Sequence, residues 1–234
     1  MATRQYTSGN LQRKADFCVT YIPAKSGKII TTIHSKTAVL HGSKLHGICS
    51  TTLSDLHISY GRLEVTDTGG QYFVLQARIE AVVKAANPKT VAESLPELKK
   101  HAQYKTKADR FRRSRLYLPG DQAKLMLNAG IHKPDAIILD LEDSVAPSEK
   151  NAARLIVRNV LRTLDFFGAE RMVRINQGKT GLKDLEAVIP HNVHLILVPK
   201  VETAKQLIEV DEKIQAIRKY CGRKEPVFLM PILE

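Results

Sequence analysis

Long apolar runs are missing from this 234-residue chain. None approaches the roughly 20 residues a helix needs to cross a bilayer, which excludes a helical membrane span. The opening stretch, MATRQYTSGNLQRKAD, has no apolar segment of the secretory-signal kind. Cysteine is scarce: Cys18, Cys49 and Cys221 stand far apart and form no CxxC pair. That pattern excludes a zinc ribbon or a disulfide framework and predicts reduced thiols in a cytoplasmic protein. Neither GxGxxG nor a P-loop occurs, so a nucleotide-binding sheet would lack its phosphate cradle. Acidic residues are in deficit, 24 against 36 Lys and Arg, leaving a formal charge of +12. With no zinc finger, RNP pattern or aromatic ladder among the basic residues, that charge does not point to nucleic acid.

What is present is ordinary for a globular protein, 43% hydrophobic and 26% charged. The excess of base is uneven. Residues 89–114 hold eight Lys and Arg against three Asp and Glu. Such a run is either a solvated linker or a site for an anionic partner such as the phosphates of coenzyme A. Before it, FCVTYIP and KIITTIH read as strands around a turn-rich AKSGK. Thr37–Leu56 fits a helix loosely, with Gly42 and Gly47 against it. Arg62–Thr66 and Tyr72–Leu75 read as a hairpin about Asp67-Thr-Gly-Gly, and QARIEAVVKAA as a helix that Asn87-Pro88 ends. Residues 1–88 are therefore expected to be a small α+β domain and 89–111 a basic linker with one possible helix over 92–104.

From Arg112 the rhythm becomes β-α alternation. RRSRLYLPG is a basic lead into a short strand that Pro119-Gly120 stops. AIILDLEDSV is a second strand that breaks into Asp140, Glu142 and Asp143. Strands are predicted at 115–118, 136–141, 171–175, 194–198 and 227–233, and helices at 121–129, 148–164, 182–189 and 203–220. Ser148 is the expected N-cap of the second helix. Short buried strands between amphipathic helices make a parallel sheet, with chemistry at the carboxyl ends of its strands. Arg174 ends the third strand, where its fork of donors suits a carboxylate or a structural salt bridge. Three acids as close as Asp140, Glu142 and Asp143 require a basic neighbour, whether they cap and ion-pair locally or orient a site. Glu234 follows seven mostly apolar residues at a strand exit, a useful place for a hard-cation ligand.

RRSRLYLPG, LDLEDSV, VRIN, VPK and MPILE, in this order, resemble the successive strand ends of citrate lyase beta subunits and related acyl-CoA lyases. The resemblance implies an α/β fold of the TIM type, a (β/α)8 barrel truncated after about five strands, over residues 112–234. A complete barrel takes about 250 residues, and 123 follow Phe111. It further implies that Arg174 clamps the carboxylate of a 2-oxo acid, and that Tyr117 and Lys124 line the approach of a thioester arm. Glu234 would be one of two carboxylates on Mg²⁺, with Asp140, Glu142 and Asp143 behind the first ligands. Lys200 of VPK is left an electrostatic or structural residue. Residues from SGNLQRKADFCVTYIPA to YFVLQARIEAVVKAA resemble the acyl carrier subunit of citrate lyase. There Arg13 occupies the place of the serine that bears a coenzyme-A-like arm, and Ser8 is the nearest alternative hydroxyl.

The resulting expectation is an Mg²⁺-dependent carbon–carbon lyase of the aldolase or Claisen type. It would cleave a 3-hydroxy-acyl thioester (citryl, malyl or citramalyl) to a 2-oxo acid and an acyl thioester. The thioester would be carried on coenzyme A or an acyl carrier, in a homo-oligomer or lyase complex, with no membrane and no nucleic acid. The competing expectation is a non-catalytic scaffold or a subunit that binds a phosphorylated ligand.

Overall fold

The computed structural model describes residues 4–233. The chain divides into two compact units with the boundary between Pro96 and Glu97. In the first unit, β1 (Tyr6–Ser8), β2 (Phe17–Pro23), β3 (Ile29–His34) and β4 (Gly61–Asp67) form one sheet in the order β1-β2-β4-β3. The β1–β2 and β2–β4 pairs are antiparallel and β3–β4 is parallel. Alternation sends Phe17, Val19 and Tyr21 of β2 and Leu63 and Val65 of β4 into the core. Helix α1 (Ala38–Asp55) adds buried Leu45, Cys49 and Leu53. Burial pushes the Cys49 thiol up to about 12, so it is an inert core residue.

The hairpin expected over 62–75 does not form. Helix α2 runs from Tyr72 to Ala86, and Tyr72–Leu75 is its first turn. The aromatic YFVL run has strand propensity, but Phe73 and Val74 continue the spacing of buried Ala77, Val82 and Val83, and tertiary burial decides. Gly70 lets the chain turn tightly into this helix: a Cβ there would lie 2.5 Å from the Phe17 ring. Fully buried Arg78 of α2 reaches back to Asp16 (Nε–Oδ1 3.1 Å, Nη2–Oδ2 2.7 Å) and donates to Ser8 Oγ at 3.1 Å. Ser8 is thereby buried and engaged, which removes it as an attachment hydroxyl.

The second unit carries a parallel sheet in the order β5-β6-β7-β8-β9. Its strands are β5 (Arg115–Pro119), β6 (Ala136–Asp140), β7 (Glu170–Arg174), β8 (Leu195–Val198) and β9 (Phe228–Pro231). Between them lie α3 (Ala123–Met126), α4 (Lys150–Thr163), α5 (Gly178–Val188) and α6 (Ala204–Cys221). The helix predicted at 121–129 breaks into short α3 and a 3-10 turn, Ala129–His132. Ser148 does not cap α4; Pro147 opens a 3-10 turn through Glu149, and the helix starts at Lys150. Helix α6 begins with a Thr203–Gln206 capping box and ends at Gly222 in the left-handed region.

Register places Tyr117 beside Ile138, Ile138 beside Met172, Met172 beside Leu195 and Leu195 beside Phe228, all on one face. On that face Ala136, Ile138, Met172, Leu195 and Leu197 form a buried cluster with Phe228, Met230 and Ile232 against it. Arg115 Nη1 on one edge strand lies 3.4 Å from Met230 Sδ on the other. Flat strands spaced about 4.8 Å apart would hold those edges roughly 19 Å away. The sheet therefore curls strongly toward the face that carries this cluster.

Residues 97–111 do not behave as a free linker, and the helix expected over 92–104 is only a 3-10 turn, Lys100–Ala102. The segment lies along the amino ends of the strands. Lys99 N–H donates to Arg162 O (2.9 Å) and Tyr104 Oη to Ala169 O (2.5 Å). Arg112 pairs with buried Glu170 (Nη2–Oε1 2.9 Å) and Arg113 with Asp135 (3.0 Å). Lys105 meets Glu225 at 3.0 Å. Much of the basic run is thus spent inside its own unit, away from the carboxyl ends.

Ile138 sits in the middle of the curled face with no exposure. Replacing it with Ala should destabilise the second unit by about 2–5 kcal/mol, checked by urea unfolding. A loss below about 1 kcal/mol would mean that this face is not a packed core.

Candidate functional site

Parallel pairing brings every strand's last residue to the same end, and the register sets Asp140 directly beside Arg174. Their side chains meet in a bidentate pair: Arg174 Nε donates to Asp140 Oδ1 and Nη2 to Oδ2, both at 2.7 Å. Arg174 Nη1 lies 3.1 Å from Glu142 Oε2 and 3.9 Å from Asp143 Oδ2. Its guanidinium also stands 5.4 Å from the centre of the half-exposed Tyr117 ring. The basic neighbour that three clustered acids require is therefore Arg174, joined by Lys200. Lys200 Nζ bridges Glu142 Oε1 (3.3 Å) and Asp143 Oδ1 (3.4 Å) from a left-handed backbone, φ 51°. A non-glycine residue rarely holds that conformation, and its two ion pairs help fix it.

Burial alone would raise the Asp140 carboxyl. Hydrogen bonds from Arg174, Ser144 and the Glu142 N–H outweigh burial and hold it below the usual aspartate value. Pairing with Asp140 raises the Arg174 guanidinium above its ordinary value. Hydrogen bonding to Glu142 and then attraction to Asp143 raise Lys200. Burial pushes the Lys150 ammonium down while the nearby acids oppose it. Lys150 donates to the carbonyls of Leu141 (2.8 Å) and Glu142, stapling the loop that carries the acids. Gly120 makes room for that loop: its N–H donates to Asp140 O at 2.7 Å, and a Cβ would lie 2.6 Å from the same oxygen.

Arg174, Asp140, Glu142, Asp143 and Tyr117 thus come together. Lys124 lies exposed on α3, and among the described residues no contact joins it to this cluster. Glu234 lies outside the described residues. Asn176 of VRIN accepts a structural task, its N–H and side-chain amide both donating to buried Asp184 at 2.8 Å. The sequence does not single out Ser144, Lys150 or Gln177, whose side-chain amide donates to Glu142 Oε1 at 3.3 Å. Ser144 could have been found four residues after Asp140 in DLEDS, a spacing that lets a hydroxyl return to the carboxylate.

A hard divalent cation needs oxygen donors that protein groups have not saturated. Both Asp140 oxygens are committed. Glu142 Oε2 is buried and accepts no hydrogen bond, and Asp143 is largely exposed. Glu142 Oε2 is nevertheless held 3.1 Å from Arg174 Nη1 and its Oε1 3.3 Å from Lys200 Nζ. Asp143 thus keeps the one largely exposed carboxylate of the three, and Glu142 would have to give up an ion pair to join it on a cation. Among the described residues, no group of three or more His, Cys, Asp or Glu forms a ready cage.

A curled parallel β/α sheet with an ionic cluster at its carboxyl ends is the architecture of a β/α enzyme. This chain belongs to the HpcH/HpaI aldolase/citrate lyase family, whose profile matches residues 113–234. It is 40% identical over 117 residues to the citrate lyase subunit beta of Haemophilus influenzae, covering 49% of this chain and 40% of that protein. It is 34% identical over 127 residues to the mitochondrial citramalyl-CoA lyase of Rattus norvegicus, covering 53% and 38%. Among solved structures, a CitE protein of Mycobacterium tuberculosis in complex with magnesium and acetoacetate aligns with TM-score 0.40 and 30% identity, over 53% of this chain and 46% of that one. The chain spans about 40% of the length of the curated relatives it matches.

The lowered Asp140 carboxyl has a defined consequence for acid stability. Its contribution is fully present above the unfolded value near pH 4 and is lost as pH falls through the lower native value. Asp140→Asn should lower stability at neutral pH and flatten the acid side of the stability–pH curve, measured by urea unfolding from about pH 2 to 6. An acid limb as steep as the wild type's would show that Asp140 does not carry this dependence.

Proposed function

We propose that residues 113–233 form the Arg174-centred part of a carbon–carbon lyase site acting on a 3-hydroxy-acyl thioester. The frame would be a (β/α)8 barrel in which β5–β9 are five successive strands. The Arg115–Met230 contact supports that reading, because an open, flat sheet would not bring its edges together. The observation that carries the function is the Asp140–Arg174 pair. Asp140 takes two of the five guanidinium N–H groups and locks the plane; Nη1 rests beside Glu142, so a substrate carboxylate would take the outer donors by displacing that contact.

A substrate with a carboxylate on its hydroxyl-bearing carbon would be oriented by Arg174, its thioester arm running past Tyr117 and Lys124. Removal of the hydroxyl proton lets the C–O electrons form the carbonyl of the 2-oxo acid. The broken C–C bond leaves its pair on the thioester as an enolate, which a proton then quenches at carbon. Lys200, beside Glu142 and Asp143, keeps their charge compensated when substrate is absent. Glu234 with Asp143 and, once its ion pair with Arg174 opens, Glu142 would hold Mg²⁺, which when bound supplies Lewis-acid stabilisation of the developing oxygen charge. Residues 1–88 would serve as an acyl-carrier-like domain that engages a phosphorylated arm without a covalent bond, since Arg13 cannot form the ester. Citryl, malyl and citramalyl thioesters are the substrate class.

One observation favours a second reading, a ligand-binding subunit without turnover: Asp140 and Arg174 already neutralise one another. Incubating the protein with citryl-, malyl- and citramalyl-CoA plus MgCl₂, and trapping 2-oxo acid as its phenylhydrazone, separates the two. Product from at least one thioester is the outcome that supports the lyase reading. Arg174→Lys keeps the charge but loses the fork, so turnover should fall about a hundredfold or more, with thioester affinity much less changed. Turnover equal to wild type would remove Arg174 as the clamp, and thioester binding with no product would favour the ligand-binding reading.

A further inference from the structure

Strand β3 is an edge of the first unit's sheet, hydrogen-bonded to β4 alone. The Gly61 N–H donates to Lys28 O, so the Lys28 carbonyl points toward β4. Backbone direction alternates along a strand, and Ile30, Thr32 and His34 therefore share that side. Ile29, Thr31 and Ile33 turn their N–H and C=O groups outward. Many natural sheets blunt such an edge with Pro, a bulge or a very short strand. Here it is six residues long, IITTIH, with no proline and no glycine.

The edge is also flanked by a cavity on each face. One, of about 720 Å³, is lined by Ile29 and Thr31 of β3, by His46, Ser50 and Leu53 of α1, and by His57 beyond it. The other, of about 510 Å³, is lined by Ile30, Pro23, Lys28 and Arg62. A guest strand on this edge would project successive side chains alternately into the two cavities. Every titratable side chain lining them, His46, His57, Lys28 and Arg62, is basic or neutral, and none is acidic. Acids close by in the fold are engaged: Asp55, next to Ser54 of the first cavity, accepts from Ser94 at 2.7 Å, Asp67 accepts from Ser35 at 2.7 Å, and Glu64 lies 3.9 Å from Arg62.

We propose that β3 is a docking edge for an extended acidic segment of a partner protein, added as a fifth strand between these two cavities. Main-chain hydrogen bonds to Ile29, Thr31 and Ile33 give the segment its register. Lys28, Arg62 and the two histidines select acidic side chains. A second copy of this chain is a poorer occupant, because two-fold pairing of β3 sets Lys28 of one copy near His34 and Lys36 of the other.

The test uses the whole chain and a fluorescein-labelled peptide of about eight residues alternating Glu and Val, a length typical of a strand. Fluorescence anisotropy should show binding that weakens with salt, and a Lys–Val peptide should not bind. N-methylation of one alternate set of peptide amides should weaken binding about tenfold or more, while methylation of the other set should leave it nearly unchanged. Thr31→Pro, which removes an outward donor and leaves the β4 ladder intact, should weaken binding similarly. The methylated peptides probe the unaltered protein, so the inference stays testable if the proline variant fails to fold. It is overturned by no acidic-peptide binding, by equal effects of the two methylation sets, or by self-association of the chain that excludes the peptide.

Discussion

Parallel pairing is the constraint on which the second unit depends. Five strands run in one direction, so their carboxyl ends collect at a single rim and their amino ends at the opposite one. The rim at the carboxyl ends gathers Asp140, Glu142, Asp143, Arg174 and Lys200. The rim at the amino ends receives Glu170 and Asp135, which bind Arg112 and Arg113 of the preceding segment. One topological fact thus sorts two sets of charges. The first is paired among itself at the mouth, with Asp143 its most exposed member, and the second is consumed in anchoring the chain.

Much of this was legible in the sequence because β-α alternation has a strong period. All five strands of the second unit begin and end within two residues of their predicted places. The acids after β6 and the arginine ending β7 stand where strand ends put them. What was illegible depends on burial by distant residues. YFVL has strand-like composition, and only the packing of Phe73 and Val74 against the rest of the first unit makes it helical. Ser148 looked like an N-cap because a hydroxyl before a helical run usually is one. Pro147 shifted the start by favouring a 3-10 turn. The lysine-rich segment read as solvated because its partners, Glu170, Asp135 and Glu225, lie 22 to 120 residues away.

The candidate site shows a finer limit. Composition and position indicated Arg174 and the three acids, yet not which acid takes the guanidinium. Strand register decides that: Asp140 lies opposite Arg174 across one ladder step, whereas Glu142 and Asp143 belong to the loop beyond. Beyond the ladder, Glu142 answers the other side of the guanidinium, its buried Oε2 3.1 Å from Arg174 Nη1. Lys124 illustrates the converse. A lysine near the first turn of a helix looked well placed, but α3 is one turn long and holds it in solvent.

The bidentate hold of Asp140 on Arg174 also bears on when water leaves the site. A free arginine must shed its hydration as an anion arrives, and that reorganisation raises the barrier to productive binding. Here the side-on edge of the guanidinium is already dry and its plane already fixed when the protein folds. Because Asp140 occupies that edge, a carboxylate bound by Arg174 as proposed would have to use the outer Nη hydrogens, whose direction the pair has already set. The stability of the fold thereby bears part of the reorganisation that recognition would otherwise require.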